Sequence, residues 1–465
     1  MSRRRSVTIY RNIHLYTDQE FPVTTQRKKE RRDGFNTKIG FILASIGSAV
    51  GMANIWLFPY RLGQFGGAAF LIPYILFVIL IGVVGVIGEM AFGRAMGTGP
   101  LGAFKKAFER KGLIGGEVLG AIPVLGSLGI ATGYAVVVGW ILKFTVGSIT
   151  GAVTAAENSG AYFGEIAGSF GSLPWHLLAL GITFFVMLKG ISGGIEKINK
   201  VMMPAFFLLF LVLAVRVFTL PGSSQGYHYL FGTDWTLLAD PKTWVYALGQ
   251  AFFSLSLAGS GTVVYGSYLK KSEDVVSCAT NVALFDTLAA LLSAVVIIPA
   301  VFAFGLDVAA GPPLMFITMP NVFKLMPFGH LFAIIFFVAV LFAGISSLMN
   351  LMETPVEAIE ERFKCSRPVA ISVVALLSAA TGIFLEGGSA LGTWMNIVSI
   401  YIIPLGALLA GLVFFWVCGK EFSLKQIQTG RQKPLGPLLL PMARYLFCGA
   451  TIGVYILGIL FGGIG

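Results

Sequence analysis

Small and polar residues interrupt the first apolar segment of the chain, at a depth where a purely lipid-facing helix has no use for them. Gly47, Gly51 and Asn54 stand within residues 37–62, and Pro59 follows. Glycine weakens a helix and asparagine is costly in hydrocarbon, so non-helical backbone persists at membrane depth only where it faces protein or a cavity. Half-helix ends and freed carbonyl groups bind ions and small polar groups. The segment is therefore a candidate binding site.

A second interruption lies in the sixth apolar segment, where small and hydroxylated residues fill positions 249–262. The two interruptions are five segments apart, and this odd offset gives them opposite orientations in a membrane. The pattern is typical of two inverted five-helix repeats that share a binding site. Alternatively, glycine and serine only let helices pack closely. Matching positions in both halves of the chain favour the binding site.

One carboxylate lies deep in an apolar segment. Asp286 stands about ten residues into the seventh segment, within the run ALFDTLAA. An ionisable group at that depth is expensive and marks a functional site by default. The alternative, an acidic residue at a helix start near the membrane interface, disagrees with this depth.

These residues require a scaffold of membrane helices. The chain has 465 residues, of which 56% are hydrophobic and 12% charged, and its mean hydropathy is +0.82. Soluble domains have roughly a quarter of their residues charged, and a membrane helix needs about 20 apolar residues. The sequence predicts an all-α polytopic membrane protein with eleven transmembrane helices and no separate soluble domain. The apolar segments are 37–62, 66–93, 118–148, 174–190, 196–219, 244–269, 277–306, 330–361, 369–386, 391–418 and 440–463.

Lysine and arginine concentrate before the first segment and in the even-numbered loops. This positive-inside bias predicts a cytoplasmic N-terminus and, with eleven spans, an external C-terminus. Residues 1–35 are expected to form a basic, disordered tail attracted to anionic lipid, and they contain no apolar core of a signal peptide. Nucleic-acid binding by the tail is the alternative explanation of the net charge of +11, and the loop distribution disfavours it. All four cysteines fall on the predicted cytoplasmic side, so no disulfide framework is expected.

Several motifs resemble the neurotransmitter:sodium symporter family, in particular bacterial members such as the leucine transporter. They include residues 38–56, 66–74 (GGAAFLIPY), 189–197 (KGISGGIEK) and 249–256 (GQAFFSLS). The resemblance covers roughly nine-tenths of the chain, from Asn36 onward. It implies a single transporter domain over 36–465, with repeat one at about 37–219, repeat two at about 244–418 and an extra span at 440–463.

The resemblance implies two co-transported sodium ions. The first would bind the Ala49 carbonyl, Asn54, Ser254, Asp286 and the substrate carboxylate. The second would bind carbonyl and hydroxyl oxygens around the first break, from Gly47, Val50, Ala343, Ser346 and Ser347. Residues 343–347 alone also fit a packing face of small residues, but their expected place opposite the break favours the ion site.

Chloride-dependent members of the family bind chloride near Asp286, and we expect this carboxylate to provide the negative charge itself. Tyr74, Gln250 and Ser254 match the chloride-site pattern, but Ala290 offers no hydroxyl. Transport is therefore predicted to be independent of chloride. Proton export on the return step would follow if Asp286 is protonated once Na⁺ leaves.

The resemblance also implies the substrate contacts. The Tyr134 hydroxyl would bind the substrate carboxylate, helped by backbone amides near Gly51, while backbone carbonyls and the Ser256 hydroxyl would bind the ammonium group. The predicted substrate-binding residues are Ala49, Gly51, Met52, Ala53, Ile130, Tyr134, Phe253, Ser254, Ser256, Gly259, Ser347 and Leu351.

Four further residues match gating and supporting positions of the family. Arg32 and Glu361 match an inner-gate ion pair, although two charged residues near the cytoplasm also fit a solvated face. Glu89 is expected to bond the unwound backbone of the sixth span. Gln250 is a supporting residue beside the first break.

Three departures from the family pattern concern the outer gate and the substrate. Leu57 replaces the outer-gate arginine, and the usual aspartate partner falls at Met395 or Asn396. Both charges are missing together, which indicates a replaced gate. Ala53 adds a methyl group beside the substrate carboxylate, and Gly259 either enlarges the opposite end or serves backbone flexibility.

The sequence thus predicts a sodium-coupled symporter of a small zwitterionic substrate, most simply an amino acid, in a bacterial cytoplasmic membrane. It predicts no enzymatic activity, no organic cofactor and no nucleic-acid partner, with membrane lipid as its surroundings. A transporter of a non-amino-acid amine or an organic acid is the first alternative. A substrate sensor or ion channel on the same scaffold is the alternative of another class.

Overall fold

Apolar helices make up most of the chain. A computed structural model describes residues 33–232, 234–257, 260–308 and 314–463. Two predicted residues, Arg32 and Gly259, lie outside these ranges. Residues Gly34–Gly465 form one compact unit.

The described helices are numbered here in chain order. They are α1 Lys38–Ala49, α2 Ala53–Gln64, α3 Ala68–Met96, α4 Pro100–Glu109, α5 Gly116–Ile149, α6 Ala152–Ala155, α7 Ser159–Ile166, α8 Leu173–Met187, α9 Ile191–Phe218, α10 Ser223–Phe231, α11 Trp235–Ala239, α12 Pro241–Ser254, α13 Gly261–Ser267, α14 Val275–Ala303, α15 Leu314–Leu325, α16 Gly329–Phe363, α17 Arg367–Leu385, α18 Gly388–Val417, α19 Lys420–Gln428 and α20 Leu439–Phe461.

Within the described ranges, eight helices are long and apolar enough to cross a membrane, and the bent pair α1 and α2 makes a ninth span. The 15-residue apolar helix α8 and the interrupted pair α12 and α13 lie where the fourth and sixth spans are predicted. The prediction of an all-α membrane protein with broken first and sixth helices is confirmed, and the arrangement is consistent with eleven spans.

The first helix begins at a well-bonded cap. The Thr37 hydroxyl accepts a hydrogen bond from the Gly40 amide at 3.0 Å, which satisfies one free amide of the first turn. The Glu196 carboxylate of α9 accepts bonds from the Asn36 amide at 2.7 Å and the Thr37 hydroxyl at 2.8 Å. Helix α1 is therefore anchored to α9 where it starts.

The helix then breaks in the middle of the membrane segment. Val50 has an extended backbone, and α1 and α2 meet at an angle of 53°. The Asn54 side chain accepts a hydrogen bond from the Gly51 amide at 3.0 Å, so it replaces the helical partner that this amide has lost. The carbonyl groups at the end of α1 are left without helical partners, as a binding site requires.

The second break separates α12 from α13. Helix α12 ends at Ser254 and α13 starts at Gly261. Ser256 and Ser260 have left-handed backbones, with φ of 54° and 51°, which a continuous helix does not allow. Both breaks are therefore present in the backbone, and neither is only a packing face of small residues.

Burial separates central helices from peripheral ones. In α5, 78% of the most apolar 18-residue stretch is buried inside the protein, and α16 packs along this helix. In α9 and α20 only 33% and 28% of the corresponding stretches are buried, and exposed leucine, isoleucine, valine and phenylalanine side chains cover the remainder. Such apolar outer faces suit lipid, so α5 and α16 form the inner scaffold against which the broken helices lie.

Candidate functional site

A cavity of about 70 Å³ lies between the two breaks and the scaffold helices α5 and α16. Ten of the twelve predicted substrate residues line it: Ala49, Gly51, Met52, Ala53, Ile130, Tyr134, Phe253, Ser256, Ser347 and Leu351. Ser254 does not line it, and Gly259 lies outside the described residues. The sequence prediction missed four lining residues: Ser48, Gly261, Asn350 and Ile403.

At one end of this cavity, two hydroxyl groups meet the backbone of the first break. The Tyr134 hydroxyl accepts a hydrogen bond from the Met52 amide at 3.2 Å, so its own proton remains to be donated. A Cβ atom added to Gly51 would lie 2.5 Å from the Ser347 hydroxyl and 2.9 Å from that of Tyr134. Glycine is therefore required at position 51, because the backbone approaches both hydroxyl groups closely.

The Ser256 hydroxyl lines the same cavity and donates a hydrogen bond to the Ser48 carbonyl at 2.9 Å. This bond links the second break directly to the end of α1. The oxygen of Ser256 keeps lone pairs for an ammonium group, as the sequence predicts, while its proton is already used.

Three of the four residues predicted for the first sodium ion, Asn54, Ser254 and Asp286, are fully buried, while the fourth, Ala49, lines the cavity. Asn54 donates to the Asp286 carboxylate at 2.7 Å and to the Asp286 backbone carbonyl at 3.0 Å. Ser254 and Tyr74 share a hydrogen bond of 3.3 Å beside them. Asp286 is completely buried, and its second carboxylate oxygen has no hydrogen-bond partner among the described residues.

This carboxylate also makes no ion pair within the described part of the chain. Moving an isolated charge out of water is expensive, and a buried carboxylate normally has a cation beside it. The cluster is therefore chemically suited to a cation that arrives from solution.

The five residues predicted for the second sodium ion also lie together. The Ser347 hydroxyl is 3.0 Å from the Val50 carbonyl and 3.3 Å from that of Gly47, so the two carbonyls share its single proton. On the same helix, the Ser346 hydroxyl donates to the Ala343 carbonyl at 3.0 Å. Carbonyl and hydroxyl oxygens of this kind are hard ligands, and the helix break frees the two carbonyls of α1.

Two supporting residues tie the breaks to each other and to α3. Gln250 donates from its side chain to the Ala53 carbonyl at 2.9 Å, which connects α12 to the start of α2. Glu89 of α3 accepts a hydrogen bond from the Thr262 hydroxyl. The described partner of Glu89 is thus a side chain at the start of α13, directly after the second break, while residues 258 and 259 of that break lie outside the described ranges.

A second cavity of about 130 Å³ is lined by Arg61 and Asn396, and it shares Phe253 and Ile403 with the first cavity. Arg61 lies one helical turn after Leu57, and its guanidinium stacks over the Tyr246 ring at 4.3 Å. The loss of the outer-gate arginine at position 57 is therefore accompanied by another arginine on the same helix face.

Near the C-terminal end of α16, Glu361 lies against Gly102 of α4. Its expected partner, Arg32, falls outside the described residues. A different ion pair lies nearby: Arg367 donates to the two Glu353 oxygens at 2.9 Å and 2.7 Å. Tyr268 adds a bond to Glu353 at 2.8 Å. This pair, of which Glu353 is fully buried, joins α17 to α16.

The sequence also matches a known family over most of its length. The model of the "Sodium:neurotransmitter symporter family" matches residues 32–166 and 165–436. An uncharacterized sodium-dependent transporter of Bacillus subtilis, YhdH, is 38% identical over 326 residues, which are 70% of this chain and 71% of that protein. An uncharacterized sodium-dependent transporter of Methanocaldococcus jannaschii is 32% identical over 430 residues, or 87% and 86% of the two chains.

The fold has a solved counterpart. The crystal structure of MhsT in complex with L-phenylalanine superposes with a TM-score of 0.83 at 33% sequence identity, covering 91% of this chain and 99% of that chain. The likeness therefore extends over nearly the whole length of both chains.

Proposed function

Because the chain belongs to the sodium:neurotransmitter symporter family, whose members are membrane transporters and not enzymes, we propose that it carries an amino acid into the cell together with two sodium ions. The observation that carries this proposal is the buried Asn54–Asp286 pair beside the cavity. This pair places a carboxylate without a counter-charge next to the cavity, and the cavity is large enough for a small molecule.

Coupling follows from shared ligation. The first sodium ion binds Asp286, Asn54 and the Ala49 carbonyl, and it also contacts the substrate carboxylate held by Tyr134. Each ligand then stabilises the other, and the stabilisation is reciprocal by thermodynamic necessity. The solved MhsT complex with L-phenylalanine supports an amino acid as the substrate.

The second sodium ion binds the oxygen cluster of α1 and α16. It holds the broken helix against the scaffold, since its ligands come from both sides of that contact. Loss of this ion on the inner side frees α1 to move. Each net positive charge carried inward gains about 2.3 kcal/mol per 100 mV of membrane potential.

Alternating access requires closure on both sides of the cavity. Outside, Arg61 stacked on Tyr246 and facing Asn396 closes the path above Phe253. Inside, Glu361 and the Arg367–Glu353 pair hold α16 in place, with Arg32 as the expected partner of Glu361. The described Arg61 geometry supports a cation–π contact as the replacement of the family's outer ion pair.

Transport is proposed to need no chloride, because Asp286 supplies the negative charge. Replacing external chloride with gluconate should leave the uptake rate unchanged. A large loss of uptake would refute this role of Asp286 without affecting the proposal of sodium coupling.

We place the protein in the bacterial cytoplasmic membrane, with residues 1–35 as a cytoplasmic basic tail, residues 36–465 as the single transporter domain and the C-terminus outside. The concentration of basic residues before the first span and in alternate loops supports this orientation.

Uptake into proteoliposomes tests the function. A thermal-shift screen of the twenty amino acids and common amines, with Na⁺ or with K⁺, first selects the ligands, since a bound ligand raises the melting temperature by mass action. The selected compound should then accumulate against its gradient only when an inward sodium gradient is imposed. Binding without accumulation would favour a sensor, and uptake without a sodium requirement would refute the coupling.

A second candidate substrate class is a non-amino-acid amine or an organic acid. Ala53, which carries one more methyl group than the glycine expected beside the substrate carboxylate, lines the cavity. In the same screen, a response to amines or organic acids and not to amino acids would select this alternative.

A further inference from the structure

An asparagine that sequence analysis overlooked lines the substrate cavity. Asn350 is only 1% exposed, yet neither its side-chain nitrogen nor its side-chain oxygen has a hydrogen-bond partner among the described residues. Its neighbours Ser347 and Leu351 on α16 line the same cavity. An unbonded amide group in a membrane interior is unfavourable on both its donor and its acceptor side, so a partner must come from elsewhere.

The surroundings hold this amide group close to the cavity. A Cβ atom added to Gly261 would lie 2.5 Å from the Asn350 side-chain nitrogen. Glycine at the start of α13 thus leaves room for the amide beside the second break. Along α16, Asn350 stands three residues after Ser347, or about 4.5 Å farther along the helix axis. Asn350 therefore lies nearly one helical turn farther along α16 than the site where Ser347 approaches Gly51 and Tyr134.

The remaining walls near Asn350 are apolar. Ile130 and Ile403 belong to one buried cluster, and Leu351 packs against it. All three line the cavity, and none of its described lining residues is Asp, Glu, Lys or Arg. A charged substrate side chain would have no counter-charge here, whereas an uncharged polar group would satisfy the free amide.

We propose that Asn350 recognises an uncharged hydrogen-bonding group on the side chain of the substrate. The substrate class is then a neutral amino acid whose side chain carries a hydroxyl, amide or N–H group and otherwise contacts Ile130 and Leu351. This inference rests on the proposed function and adds the feature that selects among amino acids. A site built around such a bond rejects the analogue that lacks it, because the buried polar group is then left unpaired.

Pairs of amino acids of similar shape test the proposal. Threonine with valine, tyrosine with phenylalanine, asparagine with leucine, and glutamine with methionine are compared as competitors of sodium-driven uptake into proteoliposomes. For the wild-type protein, the polar member of at least one pair should compete more than about tenfold better than its apolar partner.

Variants then assign this preference to one residue. Asn350→Leu, and Asn350→Ala if the first variant is unstable, should weaken competition by the polar member at least about tenfold more than competition by its apolar partner, which removes the preference. Asn281→Leu is the matched control, because the Asn281 amide is already bonded to the Ser277 carbonyl at 2.8 Å and lies outside the cavity. This control should keep the wild-type preference.

The outcomes separate this inference from the function on which it rests. Sodium-driven uptake of amino acids without any preference for polar members overturns the role of Asn350 and leaves the symporter intact. An equal loss for both members in both Asn350 variants indicates a structural role and overturns it as well. If the wild-type protein accumulates no amino acid at all, the proposed function itself fails.

Discussion

Replacing Asp286 with asparagine tests the sodium site most directly. The change keeps the shape of the side chain and removes its charge. In the structure the carboxylate is fully buried, is bonded to Asn54 at 2.7 Å and has a second oxygen without a partner in the described chain. The substitution therefore affects mainly the attraction to a bound cation.

The magnitude follows from the energetics of buried charge pairs. Removing one partner of such a pair costs about 3–5 kcal/mol. We therefore expect the sodium affinity of Asp286→Asn to fall by a factor between about one hundred and a few thousand. In sodium-free buffer the substitution should instead stabilise the fold, because the variant no longer buries an unpaired carboxylate. Its melting temperature in sodium-free buffer should equal or exceed that of the wild-type protein.

Sodium titrations of the melting temperature measure both effects in one experiment. Glu386→Gln is the matched control, because Glu386 is also buried but already binds His176 at 2.8 Å and accepts a bond from Ser172. The control should lose stability at every sodium concentration and keep its sodium affinity. An Asp286→Asn variant with wild-type sodium affinity would refute the assignment of Asp286 as a sodium ligand.

Three further substitutions test the other parts of the site. Tyr134→Phe should weaken substrate binding by about 10- to 100-fold, because a hydrogen bond to a charged group is worth about 1.5–3 kcal/mol, while sodium binding without substrate stays unchanged in calorimetry. Ser347→Ala removes the hydroxyl that bonds both carbonyls of α1, so half-maximal uptake should require about tenfold more sodium, equivalent to about one 1.4 kcal/mol interaction. Arg61→Gln removes the stacking over Tyr246, which is worth about 0.5–2 kcal/mol. The variant should increase the rate at which a cysteine introduced into the cavity is labelled from outside. An unchanged labelling rate would exclude Arg61 from outer closure.

Depth in an apolar segment was enough to predict two residues of the site from the sequence. Asn54 and Asp286 stand inside apolar segments, where a polar group needs a reason, and they prove to be bonded to each other at 2.7 Å. Tyr134 gives no such signal, because tyrosine is common inside membrane proteins, and only the resemblance to a family pointed to it. Asn350 does carry the signal, since it is an amide in the middle of the eighth apolar segment. The same argument from depth would have found it.

Other features depend on pairs of residues that the sequence does not connect. His176 and Glu386 are 210 positions apart and form a buried contact of 2.8 Å. Arg367 and Glu353 lie on successive helices, but their two-fold hydrogen bonding depends on how α17 docks onto α16. In the same way, only the three-dimensional arrangement turns Arg61 toward Tyr246 and beside Asn396.

The sequence by itself determined that this is a polytopic membrane protein with two broken helices, because hydropathy and the cost of polar groups in lipid act on each segment separately. It also determined which backbone groups are released, since glycine, serine and asparagine mark the breaks. The tertiary structure decided which carbonyl and hydroxyl oxygens of the first break and α16 meet, that Glu89 bonds a side chain of α13, and that Asn350 lines the cavity between the breaks. These depend on how helices rotate and pack against one another, and packing joins residues that local patterns treat independently.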